Sequence, residues 1–347
     1  MDNGASARRD TPPGKVILDH RESGVTVIRL GAPHESVVTL TRERMDSLAE
    51  ALQEVQRARP SGLIIAGPNE DMFCAGADIS IIRDATDPIQ AEQLARRGQE
   101  IFDAIQALPC PTIAAISGPC VGGACELVLA CNYRVITDNK GSSIGLPEIK
   151  LGILPGFGGT QRMPRLLGLP KALEIILAGK ILRPKQALKA GLVDEIVSFH
   201  GMIGRAEAYV VGSVNKKRGS LPILDRLLTF TSFGRSFVKK RAVAQIAKDT
   251  KGFYPAPPAA LESAIYGLEH GMTEGLKYEA RELGRLIVTS ESKSLTRLFF
   301  LTEGAKSIGK SARRMFDQFQ SVVVGAGIMG AGIAGTLAKN DSQVILK

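Results

Sequence analysis

The sequence predicts an α/β fold, and three observations carry that prediction. Short runs that are apolar on both faces recur between glycine and proline turns, at residues 63–66 and 112–116, as strands buried in a parallel sheet require. Stretches with apolar residues at helical spacing separate these runs, so strands and helices alternate through about residue 200. Beyond that point the texture turns helical, and the last residues read strand, glycine turn, helix, strand.

The chain divides accordingly into residues 1–14, 15–200, 201–320 and 321–347. Residues 1–14 lack apolar periodicity and are expected to be disordered. Val25-Thr26-Val27-Ile28-Arg29-Leu30 is rich in β-branched residues and reads as a strand. Met45, Leu48, Leu52 and Val55 follow at helical spacing, with Thr41 placed to cap the helix. Residues 63–66, 112–116 and 133–136 read as three more strands. In the helical region, Leu261, Ile265, Leu268, Met272, Leu276, Ala280, Leu283 and Ile287 recur in steps of three and four. Gly271 and Gly275 are the positions where that run is expected to break, and Pro255, Pro257 and Pro258 make a rigid entry.

Composition removes several classes. With 44% hydrophobic and 23% charged residues, the 347-residue chain is neither disordered throughout nor collagen-like. Its five cysteines form an odd set with no CxxC pair, which argues for reduced thiols in a cytoplasmic protein and against a metal site. Residues 104–125 carry no charge, yet Pro109, Pro111, Gly118, Pro119, Gly122 and Gly123 interrupt any helix there. No transmembrane segment is expected, and the first residues lack the apolar core of a secretory leader. The net charge of +9 suits a phosphate-bearing ligand as well as nucleic acid or an anionic surface. The basic clusters Lys216-Lys217-Arg218 and Lys239-Lys240-Arg241 lack the aromatic interleaving of an RNA-binding module, so they read as solvated surface and no nucleic acid is expected.

Three segments carry chemistry. Phe73-Cys74-Ala75-Gly76-Ala77-Asp78 and Gly118-Pro119-Cys120-Val121-Gly122-Gly123 both follow buried strands and are built from small residues, so backbone N–H groups can approach a ligand there. Such donors are suited to an oxyanion. Glu126 opens an otherwise apolar helical run, Leu127 to Cys131, and Glu148 lies in the Gly-rich segment 145–159. Desolvated carboxylates gain proton affinity, and two of them can divide acid and base duty on one substrate. Bland alternatives stand beside each: Glu126 complementing its helix dipole, and Asp78 capping the next helix.

Taken together, Gly122-Gly123-Ala124-Cys125-Glu126, Gly145-Leu146-Pro147-Glu148, Leu154-Pro155-Gly156-Phe157-Gly158-Gly159-Thr160 and Gly191-Leu192-Val193-Asp194 resemble the crotonase, or enoyl-CoA hydratase/isomerase, superfamily over residues 15–200. The resemblance implies a spiral of ββα turns followed by helices that cover the active site. It implies that Ala77 and Gly123 offer N–H groups to a thioester oxygen, and that Glu126 and Glu148 activate water and protonate the α-carbon of trans-2-enoyl-CoA. A 3-enoyl-CoA isomerisation with Glu148 as proton carrier uses the same enolate. Hydration needs no cofactor beyond the coenzyme A of the acyl-CoA substrate. Two positions depart from the family: Ala124 stands where a third glycine is common, and Val38 where asparagine is usual near the coenzyme A turn. The sequence nominates no cation for the coenzyme A phosphates, Arg83 and Lys150 included. Isomerisation alone, decarboxylation, or a non-catalytic acyl-CoA or RNA binder are the alternatives.

Gly252-Phe253-Tyr254-Pro255-Ala256-Pro257 and Gly325-Ala326-Gly327-Ile328-Met329-Gly330 narrow the resemblance to the α-subunits of fatty-acid β-oxidation complexes, in which a hydratase is fused to a 3-hydroxyacyl-CoA dehydrogenase. Gly325, Gly327 and Gly330 would then begin a Rossmann NAD site. The ribose-binding acid belongs about 20 residues on, where the sequence stops, and Asp341 sits in the preceding turn. The fragment is therefore incomplete, its apolar faces are expected to be uncovered, and NAD-dependent activity is expected only of a full-length protein. A thiolase subunit is the partner that protein implies, and self-association is left open.

Overall fold

The computed structural model describes residues 14–214, 220–315, 320–339 and 343–347. The Lys216–Arg218 cluster, Asp341 and nearly all of the 1–14 segment lie outside these residues. The chain falls into two compact units, Met1–Thr296 and Arg297–Lys347.

The first unit is built on strands β1 (Ile17–His20), β2 (Val25–Arg29), β3 (Gly62–Ala66), β4 (Thr112–Ile116), β5 (Pro119–Val121), β6 (Tyr133–Thr137), β7 (Ser143–Gly145), β8 (Ile181–Leu182) and β9 (Glu195–Val197). Six of them form one sheet in the order β1-β2-β3-β4-β6-β9, and β5-β7-β8 form a second. In the larger sheet only β1–β2 is antiparallel. Each passage from a strand of the large sheet into the small one, β4 to β5 and β6 to β7, makes one turn of a ββα spiral.

Two cores clamp the large sheet, and side-chain alternation divides the strands between them. Leu63 and Ile65 of β3, with Ala114 and Ile116 of β4, face the core shared with the small sheet. Ile64 and Ala66, with Ile113 and Ala115, face Met202, Ala206, Tyr209 and Val210 of helix Phe199–Val210. This two-sided burial is why these runs read as continuously apolar. Helix Arg42–Ala58 buries Met45, Leu48, Leu52 and Val55, and the Thr41 side chain accepts a hydrogen bond from Arg44 N at 3.2 Å.

The helical run breaks once, at Gly271, into Ala256–His270 and Met272–Ile287. Gly275 does not break it. It lies inside the second helix, where a Cβ would come within 2.6 Å of the Gly267 Cα, so these glycines serve close helix packing. Among the described residues, no helix is long and apolar enough to cross a membrane and no cluster of three metal-ligating side chains occurs.

In the second unit, β10 (Gln320–Val323) and β11 (Gln343–Leu346) pair in parallel on either side of helix Ile328–Ala338. Val322, Val324, Ile328, Met329 and Ile345 are exposed. Gly325 has φ +105°, and a Cβ on Gly330 would fall 1.6 Å from the Gly325 carbonyl oxygen, whereas one on Gly327 would meet nothing.

Candidate active site

The site grows from the turns that leave β3 and β4. One isolated bridge lays these turns side by side, with Cys74 N donating to Pro119 O at 2.9 Å, and a second ties the first turn to the segment before helix Arg42–Ala58, with Leu40 N donating to Gly76 O at 2.8 Å. Gly76 has φ +92°, and a Cβ there would lie 2.5 Å from Val121 O and 3.5 Å from Gly123 N, so only glycine lets the turns meet. Ala77 follows that turn, and Gly123 is the first residue of helix Gly123–Leu129, ahead of its hydrogen-bonded ladder. Neither N–H donates to a backbone carbonyl outside a helix or strand among the described residues.

Glu126 projects from that same helix and is only 2% exposed. Its Oε1 accepts hydrogen bonds from Phe157 N and Gly159 N, both at 2.7 Å. The acceptor role is thus met by a different segment, not by the N-terminus of its own helix. Burial raises its proton affinity well above the ordinary carboxylate range, helped by Glu148 and Glu279, and the two N–H donors oppose the shift.

Glu148 heads the short 3-10 helix Glu148–Leu151 behind β7 and is also buried. No hydrogen bond reaches either carboxylate oxygen from another of the described residues. Burial raises its pKa as well, to about 8; its own backbone N–H opposes the shift, and the charge of Glu279 adds a smaller upward effect. Gly122, at φ +60°, lies beneath it: a Cβ would stand 3.1 Å from Glu148 Oε1.

Ala77, Gly123, Glu126 and Glu148 all line one cavity of about 690 Å³. Its apolar part is formed by Ile82, Ala91, Leu94, Leu283 and Ile287, which come from three helices. Arg42 and Arg97 also line it, whereas Arg83 and Lys150 do not. Arg83 is instead ion-paired with Asp84 at 2.7 Å, and Lys150 packs toward the position of Gly179. Val38 is fully buried and its carbonyl accepts from Ala75 N at 2.8 Å, which leaves its side chain in the core. Asp78 caps helix Ile79–Asp84, accepting from Ser80 N at 2.9 Å.

Sequence reading passed over Glu279. It is fully buried on helix Met272–Ile287 and accepts from Gly158 N at 2.6 Å and Thr160 N at 3.0 Å. The signal was present: Glu279 stands three residues after Leu276 and four before Leu283, on the apolar face of the helix.

A ββα spiral with two backbone donors and two desolvated carboxylates on one cavity defines a crotonase-fold protein. The model of the family "Enoyl-CoA hydratase/isomerase" matches residues 20–224, and the chain belongs to that family. Among curated relatives, the fatty acid oxidation complex subunit alpha of Vibrio cholerae is 42% identical over 337 residues, covering 95% of this chain and 47% of that one. The Shewanella loihica subunit of the same name is 39% identical over 320 residues, covering 91% and 45%. The chain thus spans about half the length of these relatives. Among solved structures, an enoyl-CoA hydratase from Bacillus anthracis is similar with a TM-score of 0.53 and 28% identity, over 74% of this chain and 91% of that one. Human mitochondrial delta3-delta2-enoyl-CoA isomerase shares the fold, with a TM-score of 0.62 at 18% identity, over 84% and 99%.

Proposed function

We propose that this chain hydrates trans-2-enoyl-CoA to 3-hydroxyacyl-CoA in fatty-acid β-oxidation, with Glu126 and Glu148 as the catalytic pair. The observation that carries the reading is the meeting of both buried carboxylates with the Ala77 and Gly123 turns around one cavity. The thioester oxygen is placed against the two N–H groups, where donors of this kind are each worth about 2.7–4 kcal/mol to a developing oxyanion. Glu126, whose Oε1 two N–H donors hold in place, has the base role: it takes a proton from water as the oxygen bonds to C3. Electron density passes to the thioester oxygen, and C2 of that enolate receives a proton from Glu148, which no neighbour's N–H holds in its charged form. Water is consumed, and the two carboxylates exchange protonation states.

The same enolate supports isomerisation of 3-enoyl-CoA, in which one carboxylate moves a proton between two carbons. Decarboxylation, or thioester binding without turnover, gives the paired carboxylates no task. The RNA-binding alternative has little support, since Lys239 of the described basic cluster is ion-paired with Glu262 at 2.7 Å.

For a protein of the relatives' full length the reading would extend to NAD. Gly325, Gly327 and Gly330 would hold its pyrophosphate, since the turn packs tightly at Gly330 and stays open at Gly327. Bound NAD would supply hydride acceptance from the 3-hydroxyacyl product. A thiolase subunit is the proposed partner of such a protein, and the five unbridged cysteines of this chain suit the cytoplasm.

The test is loss of the conjugated thioester's absorbance as water adds. Glu126→Gln and Glu148→Gln are each expected to slow hydration by about 10³-fold while acyl-CoA still binds. Unchanged turnover in either variant would refute the assignment.

A further inference from the structure

Four consecutive backbone N–H groups start helix Gly159–Leu167 and its approach, and they alternate between two carboxylates. Phe157 N and Gly159 N donate to Glu126 Oε1. Gly158 N donates to Glu279 Oε1, and Thr160 N to Glu279 Oε2. The Thr160 hydroxyl lies 2.5 Å from Glu279 Oε2, and Gln99 Nε2 donates to Glu279 Oε1 at 3.1 Å. Gln99 also donates to Gly156 O and Leu276 O, tying helix Pro88–Gln106 to the start of the loop and to helix Met272–Ile287. Glu279 does not line the cavity, so it touches no substrate.

We propose that Glu279 is a positioning residue for Glu126: its carboxylate holds the 157–160 backbone in the one register that aims alternate N–H groups at Glu126 Oε1. The proposal rests on the assignment of Glu126 and Glu148 as the catalytic pair. If Glu279 were merely a core polar residue, Gln would serve as well, because its size and buried position are kept. A glutamine, however, carries one acceptor oxygen in place of two, and its NH2 group would confront either Gly158 N–H or Thr160 N–H, donor against donor. The loop must then turn, and the Phe157 and Gly159 donors turn with it.

The charged and titratable groups around Glu279 are few. Glu126 and Glu148 face it from their own helices, and its negative charge raises the proton affinity of both. Arg162, on helix Gly159–Leu167, favours its ionised form and is itself paired with Asp103 of helix Pro88–Gln106. Helix Ala256–His270 presents the Ser263 hydroxyl, 2.8 Å from Thr160 Oγ1. Burial brings Glu279 to about 7, so its charge changes within the working pH range.

The experiment compares pH profiles of kcat and KM for enoyl-CoA hydration by wild type, Glu279→Gln and Thr160→Val. Both variants are expected to lose about tenfold to a hundredfold in kcat with KM nearly unchanged, as displacement of a catalytic group by about 1 Å does. Both pH limbs are expected to move to lower pH, because a negative neighbour is removed or more easily neutralised. Glu279→Asp, which keeps the charge but shortens the reach, is expected to lose kcat without that displacement of the profile. Folded Glu279→Gln and Thr160→Val proteins with wild-type kcat, or with lower kcat on an unmoved profile, would overturn the proposal. Should Glu279→Gln not fold, Thr160→Val and Glu279→Asp decide it by the same readouts. A wild type that turns over no enoyl-CoA would instead refute the parent assignment, which separates the two failures.

Discussion

Replacing Glu148 with glutamine should make the protein more stable as pH rises, at the cost of activity. The carboxyl is neutral in both folded and unfolded chains below its ordinary pKa of 4.5, and in the folded chain it is raised to about 8. Stability tied to this group is therefore complete below 4.5 and is lost as pH climbs toward 8, because the unfolded chain ionises first. At pH 7 the gap amounts to roughly 2.5 pH units, a ceiling of about 3 kcal/mol at 1.36 kcal/mol per unit. Hydration of the cavity and coupling to Glu126 reduce that figure. An amide has no such ionisation to suppress, so Glu148→Gln recovers what the wild type loses. A change of this size corresponds to a melting shift of several degrees in a unit this large. Thermal unfolding followed by circular dichroism at pH 5 and pH 8 is the assay. The variant is expected to melt close to wild type at pH 5 and several degrees above it at pH 8. Equal differences at both pH values, or a variant less stable at pH 8, would refute the reasoning.

Two further outcomes follow from the cavity. Glu126→Gln should retain a larger share of 3-enoyl-CoA isomerisation than of hydration, since isomerisation asks only for a proton carrier and Glu148 remains; equal losses in the two assays would contradict that division. Ala91→Leu narrows the apolar part of the cavity formed with Ile82, Leu94, Leu283 and Ile287. Its kcat/KM for a long-chain enoyl-CoA should drop about tenfold relative to crotonyl-CoA, about what rejecting one methylene yields in an apolar pocket. Parallel losses on both substrates would show that the chain runs elsewhere.

Much of this architecture was legible in the sequence because local chemistry and tertiary placement agree. β3 and β4 read as apolar runs because both their faces are buried, and Thr41 and Asp78 cap the helices that their side chains suggested. The paired carboxylates stood out because glutamate in an apolar, glycine-rich run has few structural uses. Other features were illegible for physical reasons. Gly275 looks like a helix breaker until Gly267 is seen packed against it from the preceding helix. The sequence also singles out no cation for the phosphates: Arg83 pairs with Asp84 beside it and Lys150 turns toward Gly179, while Arg42 and Arg97, unremarkable in sequence, line the cavity. Glu279 was marked by its place on an apolar helix face, but the N–H groups it binds, more than a hundred residues away, are identified by no periodicity.

The most direct measurement of the central claim is a double-mutant cycle on hydration. Glu126→Gln, Glu148→Gln and the combined variant are assayed for kcat on crotonyl-CoA under one set of conditions. Two carboxylates that complete a single proton exchange around one bond-forming event act as a unit, so the combined loss should barely exceed the larger single loss. Losses that multiply, or a single variant with near wild-type kcat, would contradict a shared reaction centre.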